Sequence, residues 1–326
     1  MASLTSSNLA RLLNDRVFEL TIIPTESCNF RCVYCYENHS DNRLKKNVIK
    51  SIKSLIELRI SEIDQLNIGW FGGEPLLARN TIIEISNFIV DLTQSYPNVK
   101  YRAAMATNGY LLTPSLFSKL VSLGINHYQI TLDGPREIHN KSRMTINGKG
   151  SYDKIWKNLS DIKNSAEQFH ITIRLHFSPS RIQYIYRLID DLRLTFVEDK
   201  RFSFHFKTVD RLGGKNDNEL DVCTDAEAQT HIRSFKDKLY GHYVDEEEQP
   251  YVCYASRPNK LLVYPNGDIG KCTVALYDSR NRIGSINEDG TVNMDLSLLK
   301  KWMRGFTPID LSTLRCPFKN FPKNGL

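Results

Sequence analysis

Three cysteines lie close together near the start of the chain. Cys28, Cys32 and Cys35 have the spacing C-x3-C-x2-C and follow the apolar, β-like run Val17–Ile23. Three thiolates can ligate three irons of a cubane iron–sulfur cluster and leave the fourth iron open to a substrate or cofactor. Because iron–sulfur sites normally take four cysteines, a tight group of three indicates catalysis rather than electron storage. The alternatives are a zinc knuckle, completed by a residue such as His39, and inert cytosolic thiols.

Composition and charge narrow the class of protein. The 326 residues are enough for one large α/β domain and a small appendage. Seven cysteines, an odd number, do not indicate a disulfide framework, and Met1–Asn14 lacks a secretory signal. No apolar run approaches the roughly 18 residues that span a bilayer. The sequence therefore predicts a cytoplasmic protein with reduced thiols and no membrane contact.

The net charge also limits the partners. It is +6 and spread along the chain rather than clustered, so we expect no nucleic-acid partner. An acidic peptide or a nucleotide stays compatible with this charge.

Strand-like and helix-like segments alternate from residue 17 to about residue 210. This alternation predicts an α/β fold with parallel strands and helical crossovers, and six units favour a partial (β/α)6 barrel. In such barrels the chemistry lies at the carboxyl ends of the strands. The predicted strands are Val17–Ile23, Leu66–Phe71, Tyr101–Ala106, His127–Leu132, Ile171–Phe177 and Phe202–Phe206, and the predicted helices are about 44–58, 81–93, 114–123, 152–167 and 181–196.

The pattern changes beyond residue 210. A glycine-containing linker at 213–216 precedes a capping box, Thr224 to Glu227, which predicts a helix to about Tyr243. The acidic run 245–248 is expected to be a solvated loop. A hairpin is predicted from strands 261–264 and 269–273 around the turn Pro265-Asn266-Gly267-Asp268. We expect three parts: residues 1–210 as the barrel, 211–250 as linker and bridging helix, and 251–326 as a small β-hairpin/helix auxiliary domain.

A second motif follows the second predicted strand. Gly72 and Gly73 let a ligand approach the backbone, and the carboxylate of Glu74, before Pro75, can hold an ammonium group. The cysteine spacing, with the aromatic Tyr34 before the last thiol, resembles the C-x3-C-x-Φ-C signature of radical S-adenosylmethionine (radical SAM) enzymes. Gly-Gly-Glu-Pro resembles their GGE motif, which binds the amino group of the methionine moiety of SAM.

Further motifs resemble the radical SAM subgroup that modifies peptides and proteins. The stretch from Thr131-Leu132-Asp133-Gly134-Pro135 to Arg143 is similar to the S-L-D-G-P-x-E-x-H-x-x-x-R pattern of that subgroup. By this resemblance, Thr131, Arg143 and Arg174 are expected to contact the carboxylate or ribose of SAM, and Asn108 the ribose or the substrate. A structural role, such as pairing with a surface acid or capping a turn, is the alternative for each.

The last cysteines resemble part of a SPASM or twitch auxiliary-cluster domain. Cys253, Gly267 and Cys272 match its C-x9–15-G-x4-C opening, and Cys316 begins a loop without the later thiols of that domain. The resemblance implies at most one auxiliary iron–sulfur cluster on Cys253, Cys272 and Cys316, or none. We expect Cys223 to be a free thiol.

The resemblance implies a radical SAM enzyme with a [4Fe-4S] cluster on Cys28, Cys32 and Cys35. The implied reaction is reductive cleavage of SAM to a 5′-deoxyadenosyl radical, which abstracts hydrogen from a peptide or protein. The expected product is a crosslinked, epimerised or oxidised ribosomal peptide, and the expected reducing partner is a flavodoxin or ferredoxin. Sulfatase-type Ser or Cys oxidation is a rival, weakened because Thr273 stands where such maturases carry a proposed Asp base. A non-catalytic iron–sulfur scaffold is the other rival.

Overall fold

The computed structural model describes residues 4–241 and 251–322. One mixed sheet of ten strands dominates it, and a two-stranded ladder lies apart. The strands are β1 Val17–Ile22, β2 Phe30–Cys32, β3 Gln65–Trp70, β4 Lys100–Ala106, β5 Ile125–Leu132, β6 Arg143–Thr145, β7 His170–Phe177, β8 Phe202–Thr208, β9 Lys260–Val263, β10 Asp268–Gly270, β11 Gly284–Ile286 and β12 Val292–Met294. The helices are α1 Ser6–Leu12, α2 Lys46–Ile60, α3 Arg79–Gln94, α4 Pro114–Ser122, α5 Arg136–Ser142, α6 Tyr152–Lys163, α7 Ile182–Thr195, α8 Asp225–Tyr240, α9 Leu296–Met303 and α10 Leu311–Arg315.

Six parallel strands form the centre of the sheet, in the order β1-β3-β4-β5-β7-β8. These are the six strands predicted from the sequence. The main helices between consecutive central strands cross back over the sheet, and their apolar faces cover it. In α2, for example, Val48, Ile52, Leu55 and Ile56 are buried at helical spacing. The sheet does not close, because β8 is its last strand, so the α/β partial-barrel prediction is confirmed.

The C-terminal hairpin continues the same sheet. β9 pairs in parallel with β1, with Leu20 opposite Leu261 and Ile22 opposite Val263, and β10, β11 and β12 follow as antiparallel strands. The second hairpin strand ends at Gly270 rather than at the predicted Thr273. The physical reason is Asn281, whose side-chain oxygen accepts hydrogen bonds from the N–H groups of Lys271 and Cys272.

Several boundaries differ from those predicted. The helix expected to reach Glu167 ends at Lys163, and the capping-box helix ends at Tyr240 because Gly241 adopts a left-handed φ of 78°. The predicted solvated loop at 245–248 lies outside the described residues. Four short strands were missed: β11 and β12, which extend the main sheet, and β2 and β6, which pair antiparallel with Cys32 opposite Arg143. Within the described residues, no helix is both long and apolar enough to cross a bilayer.

Candidate active site

The carboxyl ends of the parallel strands surround one cavity of about 290 Å³. Ten of the residues predicted from the sequence line it: Cys28, Cys32, Tyr34, Cys35, Gly72, Gly73, Asn108, Thr131, Arg143 and Arg174. Glu74 and Pro75 do not line it; they are buried directly behind the two glycines. The cavity therefore collects residues that are far apart in the chain and that were predicted from three separate motifs.

The three thiols lie on a loop that the backbone holds in place. The N–H of Phe30 donates to the Sγ of Cys28 at 3.4 Å, and the N–H of Cys35 donates to the carbonyl of Cys32 at 3.1 Å. Burial raises the pKa of all three thiols, that of Cys35 to about 12, with the charge of Glu37 adding to the effect at Cys35. Buried thiols that hold their protons this firmly need a positive centre to ionise them, and iron supplies one.

The zinc alternative receives little support from the geometry. The Sγ of Cys35 lies 3.3 Å from the Nε2 of His39, so the residue proposed as a fourth ligand is close. Among residues 4–241 and 251–322, however, no three His, Cys, Asp or Glu side chains are gathered in a way that fits a single metal ion.

Arg143 lies beside the cysteine loop because the β2–β6 ladder places it opposite Cys32. Its Nη1 donates to the hydroxyl of Tyr34 at 2.7 Å, and that hydroxyl donates to the Oδ1 of Asp133 at 2.9 Å. Asp133 is fully buried, and its Oδ2 accepts a bond from Ser142 at 2.6 Å. Burial raises the pKa of Asp133, and the charge of Arg143 opposes that rise. The aromatic residue of the cysteine motif thus connects the cluster loop to the Asp-Gly-Pro motif.

His139 supports this group from behind. Its Nδ1 accepts a hydrogen bond from the N–H of Asp133 at 3.3 Å, and its Nε2 lies 3.1 Å from the Oγ of Ser151. Because Ser151 donates its own proton to the carbonyl of Arg143 at 2.6 Å, the Nε2 of His139 carries the ring proton. Burial lowers the pKa of His139 well below its usual range, so the ring is neutral near neutral pH.

The Gly-Gly-Glu-Pro motif has a structural explanation. A Cβ on Gly73 would lie 2.2 Å from the carbonyl oxygen of Ser27, and one on Gly72 would lie 2.7 Å from that of Thr25. The carboxylate of Glu74 is buried and accepts bonds from the N–H of Asn108 at 2.7 Å, the hydroxyl of Thr107 at 2.7 Å and the N–H of Leu76 at 3.0 Å. The backbone of the two glycines, rather than the Glu74 side chain, therefore faces the cavity.

Unpartnered polar atoms show that the cavity is built for a polar ligand. The Nε atoms of Arg143 and Arg174 and both ring nitrogens of His176 are buried and have no hydrogen-bond partner in the described part of the chain. Buried polar groups are normally paired, so such atoms indicate a missing partner. A carboxylate, ribose hydroxyls and an adenine offer the acceptors and donors that these atoms lack. The residues present therefore fit SAM beside a cluster on the three thiols.

Some lining residues were not predicted from the sequence. They include His176 on β7, Lys207 and Thr208 at the end of β8, and Asp210 just beyond it. His176 could have been found, because it lies two residues after Arg174 in a strand and side chains alternate between the two faces of a sheet. The ring of His176 packs against that of Tyr34 at 5.0 Å between centroids.

Hydrogen bonds join the segments that carry the C-terminal thiols. Both Cys253 and Cys316 contribute to the raised pKa of Cys272, whose main cause is burial. The N–H of Val274 donates to the Sγ of Cys272 at 3.4 Å, as Phe30 does to Cys28. The N–H of Cys253 donates to the carbonyl of Leu314, two residues before Cys316, at 2.8 Å. Cys223 precedes α8, where burial and then the charge of Glu227 raise its pKa.

Thr273, the residue after Cys272, connects the two cysteine regions. Its hydroxyl lies 2.6 Å from that of Tyr254, and its carbonyl accepts a bond from Tyr36 of the cysteine loop at 3.0 Å.

The sequence model of the radical SAM superfamily matches residues 22–189, which is more than half of the chain. The chain belongs to the radical SAM superfamily. Its cofactors are therefore a [4Fe-4S] cluster and SAM, as the sequence predicted. The structure provides residues to hold both.

Several known proteins are similar in sequence to this radical SAM chain. An uncharacterized protein of Methanocaldococcus jannaschii is 26% identical over 284 residues, covering 86% of this chain and 92% of its own length. The cysteine-type anaerobic sulfatase-maturating enzyme of Clostridium perfringens (strain 13) is 29% identical over 189 residues, covering 55% of this chain and 50% of that enzyme. The match to this enzyme thus extends over about half of its length.

Solved structures share the fold. The anaerobic sulfatase-maturating enzyme anSMEcpe with AdoMet and the Kp18Cys peptide has a TM-score of 0.65 at 19% identity, covering 87% of this chain and 84% of its own. SuiB of Streptococcus suis with S-adenosylmethionine has a TM-score of 0.59 at 15% identity, covering 94% and 70%. At these identities, the two structures show that the fold is shared.

Proposed function

We propose that this radical SAM protein modifies a ribosomally made peptide or a protein side chain. The observation that carries the proposal is the single cavity in which the three thiols, Arg143 and the unpartnered nitrogens of Arg174 and His176 meet. The relatives named as maturating enzymes support a peptide or protein as the substrate class. When bound, the cluster and SAM supply a 5′-deoxyadenosyl radical that abstracts hydrogen from an unactivated carbon of the substrate.

The residues of the chain bind and orient these groups. Cys28, Cys32 and Cys35 would ligate three irons of the cluster and release their protons as it assembles. Arg143 and Arg174 would pair with the carboxylate or ribose of SAM, since a guanidinium matches a carboxylate with two parallel hydrogen bonds. The glycine backbone at Gly72 and Gly73 would face the methionine ammonium, while Glu74 fixes the turn.

The C-terminal thiols would hold one auxiliary iron–sulfur cluster. The backbone bond from Cys253 to Leu314, two residues before Cys316, and the N–H bond to Cys272 support this, and Cys253, Cys272 and Cys316 supply three ligands. A flavodoxin or ferredoxin would reduce the SAM cluster. Sulfatase-type oxidation remains disfavoured because the hydroxyl of Thr273 is not a base and is already hydrogen-bonded to Tyr254.

Iron, sulfide and SAM cleavage together test the proposal. After anaerobic reconstitution, wild type should hold about eight irons and the Cys28/Cys32/Cys35 triple Ala variant about four. Wild type reduced with dithionite should release 5′-deoxyadenosine, and Cys32→Ala should not. If wild type holds about four irons and the triple variant holds none, the protein has no auxiliary cluster. A wild type that binds iron but never cleaves SAM would favour the non-catalytic scaffold.

A further inference from the structure

A groove of about 780 Å³ lies outside the cavity, along the outer edge of β8. Four consecutive residues of that strand line it, from His205 to Thr208. Successive side chains of a strand point to opposite faces of the sheet, so four in a row can border one groove only if the groove follows the edge of the strand. The opposite wall is formed by residues at the start and middle of α8 and by the C-terminal segment around Arg315 and Lys319.

The edge of β8 offers free backbone groups to this groove. The N–H of Val209 donates to the carbonyl of Phe177 on the β7 side, and the carbonyl of Arg201 accepts from Ile171. In a parallel pair, alternate residues bond to the same neighbour, so the odd-numbered residues of β8 face β7. The N–H and C=O groups of Phe204 and Phe206 therefore point outward, and β8 has no further strand beyond it in the described sheet. Such an edge accepts an extended peptide as an added strand.

The groove favours an acidic peptide, because the charged side chains that line it are mainly positive. Lys207, Arg315 and Lys319 line it, whereas Asp225 is the acidic residue among its described lining residues. Arg315 and Lys319 are exposed, and neither side chain has an ion-pair partner in the described part of the chain. Lys207 is paired with Asp210 at 2.6 Å, at the inner end of the groove. Opposite charges would therefore be favoured along the outer part of the groove.

The groove adjoins the active-site cavity, because Lys207 and Thr208 line both. We propose that an acidic segment of the peptide substrate binds in this groove as a strand added to β8, so that the residue next to it enters the cavity. This proposal rests on the proposed function, because it adds that the peptide substrate has acidic residues next to the residue that reacts. The groove thus acts as the docking surface for an acidic, extended peptide.

Peptide binding measured without turnover tests this proposal. Fluorescein-labelled (Glu-Ser)4, (Gln-Ser)4 and (Lys-Ser)4 peptides are titrated with the reconstituted full chain in the presence of SAM, and anisotropy is recorded. The Glu peptide should bind at least about tenfold more tightly than the other two, and added salt should weaken it. A Glu peptide N-methylated at alternate residues should lose most of this affinity, because it cannot complete the strand ladder.

Matched charge variants locate the binding surface. Arg315→Glu/Lys319→Glu should weaken binding of the Glu peptide by about tenfold or more, whereas Lys119→Glu/Lys154→Glu should change it less than about twofold. The control pair is exposed and makes the same change in net charge on α4 and α6. The single variant Lys319→Glu, which lies farther from Cys316, serves if the double variant loses iron. SAM cleavage without peptide should persist in both double variants.

Three results would overturn the proposal. The first is equal loss of binding in the control pair, and the second is tighter binding of a (dT)8 oligonucleotide than of the Glu peptide. The third is Glu-peptide binding that appears only after Asp245, Glu246, Glu247 and Glu248 are replaced by neutral residues, since the groove would then hold the acidic run of the chain itself. Loss of SAM cleavage in wild type would instead contradict the proposed function, so the two failures can be told apart.

Discussion

At the scale of single residues, one hydroxyl joins the cluster loop to the remainder of the site. Tyr34 accepts from Arg143 and donates to Asp133, and both of those groups are buried. The sequence identified Tyr34 as the aromatic residue of a motif, but its hydroxyl bonds depend on β2–β6 pairing. Those three-residue strands are too short to show periodicity, so these contacts could not be predicted.

Tyr34→Phe is expected to destabilise the protein by about 1–3 kcal/mol, because Asp133 and Arg143 each lose a partner in a buried site. It should also weaken SAM binding, since Arg143 is then less firmly oriented. Urea unfolding and equilibrium dialysis with labelled SAM measure the two effects. Tyr110→Phe is the control, because the Tyr110 hydroxyl has no partner among the described hydrogen bonds and its ring packs on Phe30, next to the cysteine loop. Equal losses in both variants would show that the bonds of Tyr34 are unimportant.

The neutral His139 makes stability depend on pH. Its folded pKa lies well below the usual 6.5, so between those two values the unfolded chain binds more protons than the folded one. Stability therefore falls as pH drops below about 6.5, and this group contributes at most about 1.4 kcal/mol of the loss between pH 7.5 and 5.5. His139→Gln, which does not titrate, should remove that part of the loss. Unfolding free energies of the two proteins at both pH values check it, and parallel curves would contradict it.

At the scale of elements, the helices and central strands follow from local patterns, whereas the turns depend on close backbone contacts. The six parallel strands and their crossovers were predicted because apolar residues repeat with clear periods. The glycine pair was predicted as a ligand contact. In the structure, the backbone of Thr25–Ser27 lies so close to these two residues that a Cβ would clash with it. The two segments are far apart in the sequence, so no local sequence pattern could predict this contact.

Gly73→Ala should displace the turn before Cys28, because its Cβ would meet the backbone oxygen of Ser27 at 2.2 Å. We expect a loss of at least about 2 kcal/mol in stability and a clear loss of SAM affinity. Gly148→Ala is the control: its φ is 71° and no atom lies within 4 Å of the added Cβ, so only backbone strain of about 1 kcal/mol is expected. Differential scanning calorimetry and SAM binding separate the two variants; equal behaviour would contradict the steric account.

At the scale of the whole molecule, the sheet crosses the predicted domain boundary. The division at residues 210 and 250 remains a prediction, and it was drawn from the change in sequence pattern. The structure pairs β9 with β1 in parallel and joins Glu19 of β1 to Arg257 and Lys260. A sequence shows that a segment is a strand more readily than it shows which distant strand is its neighbour, which is why this pairing was not foreseen.

A chain that ends after residue 241 should not fold as an independent barrel. Without β9, the buried strand β1 becomes an exposed edge and Glu19 loses both partners, so aggregation is expected. Size-exclusion chromatography and thermal unfolding of the truncated chain check this. The full chain should unfold in one transition, and a soluble truncated chain with a cooperative transition would support two separate domains.

The buried contacts of the Gly-Gly-Glu turn also indicate which residues can be substituted during evolution without loss of the fold. The fold itself requires these three residues. A Cβ on Gly72 or Gly73 would meet the backbone of Thr25–Ser27, and the carboxylate of Glu74 accepts three internal hydrogen bonds. A descendant that abandoned radical chemistry would still need them, whereas selection would cease to maintain the thiols. In a distant homologue, the presence of this turn therefore indicates common ancestry, whereas the presence of the three cysteines indicates that the radical chemistry is retained.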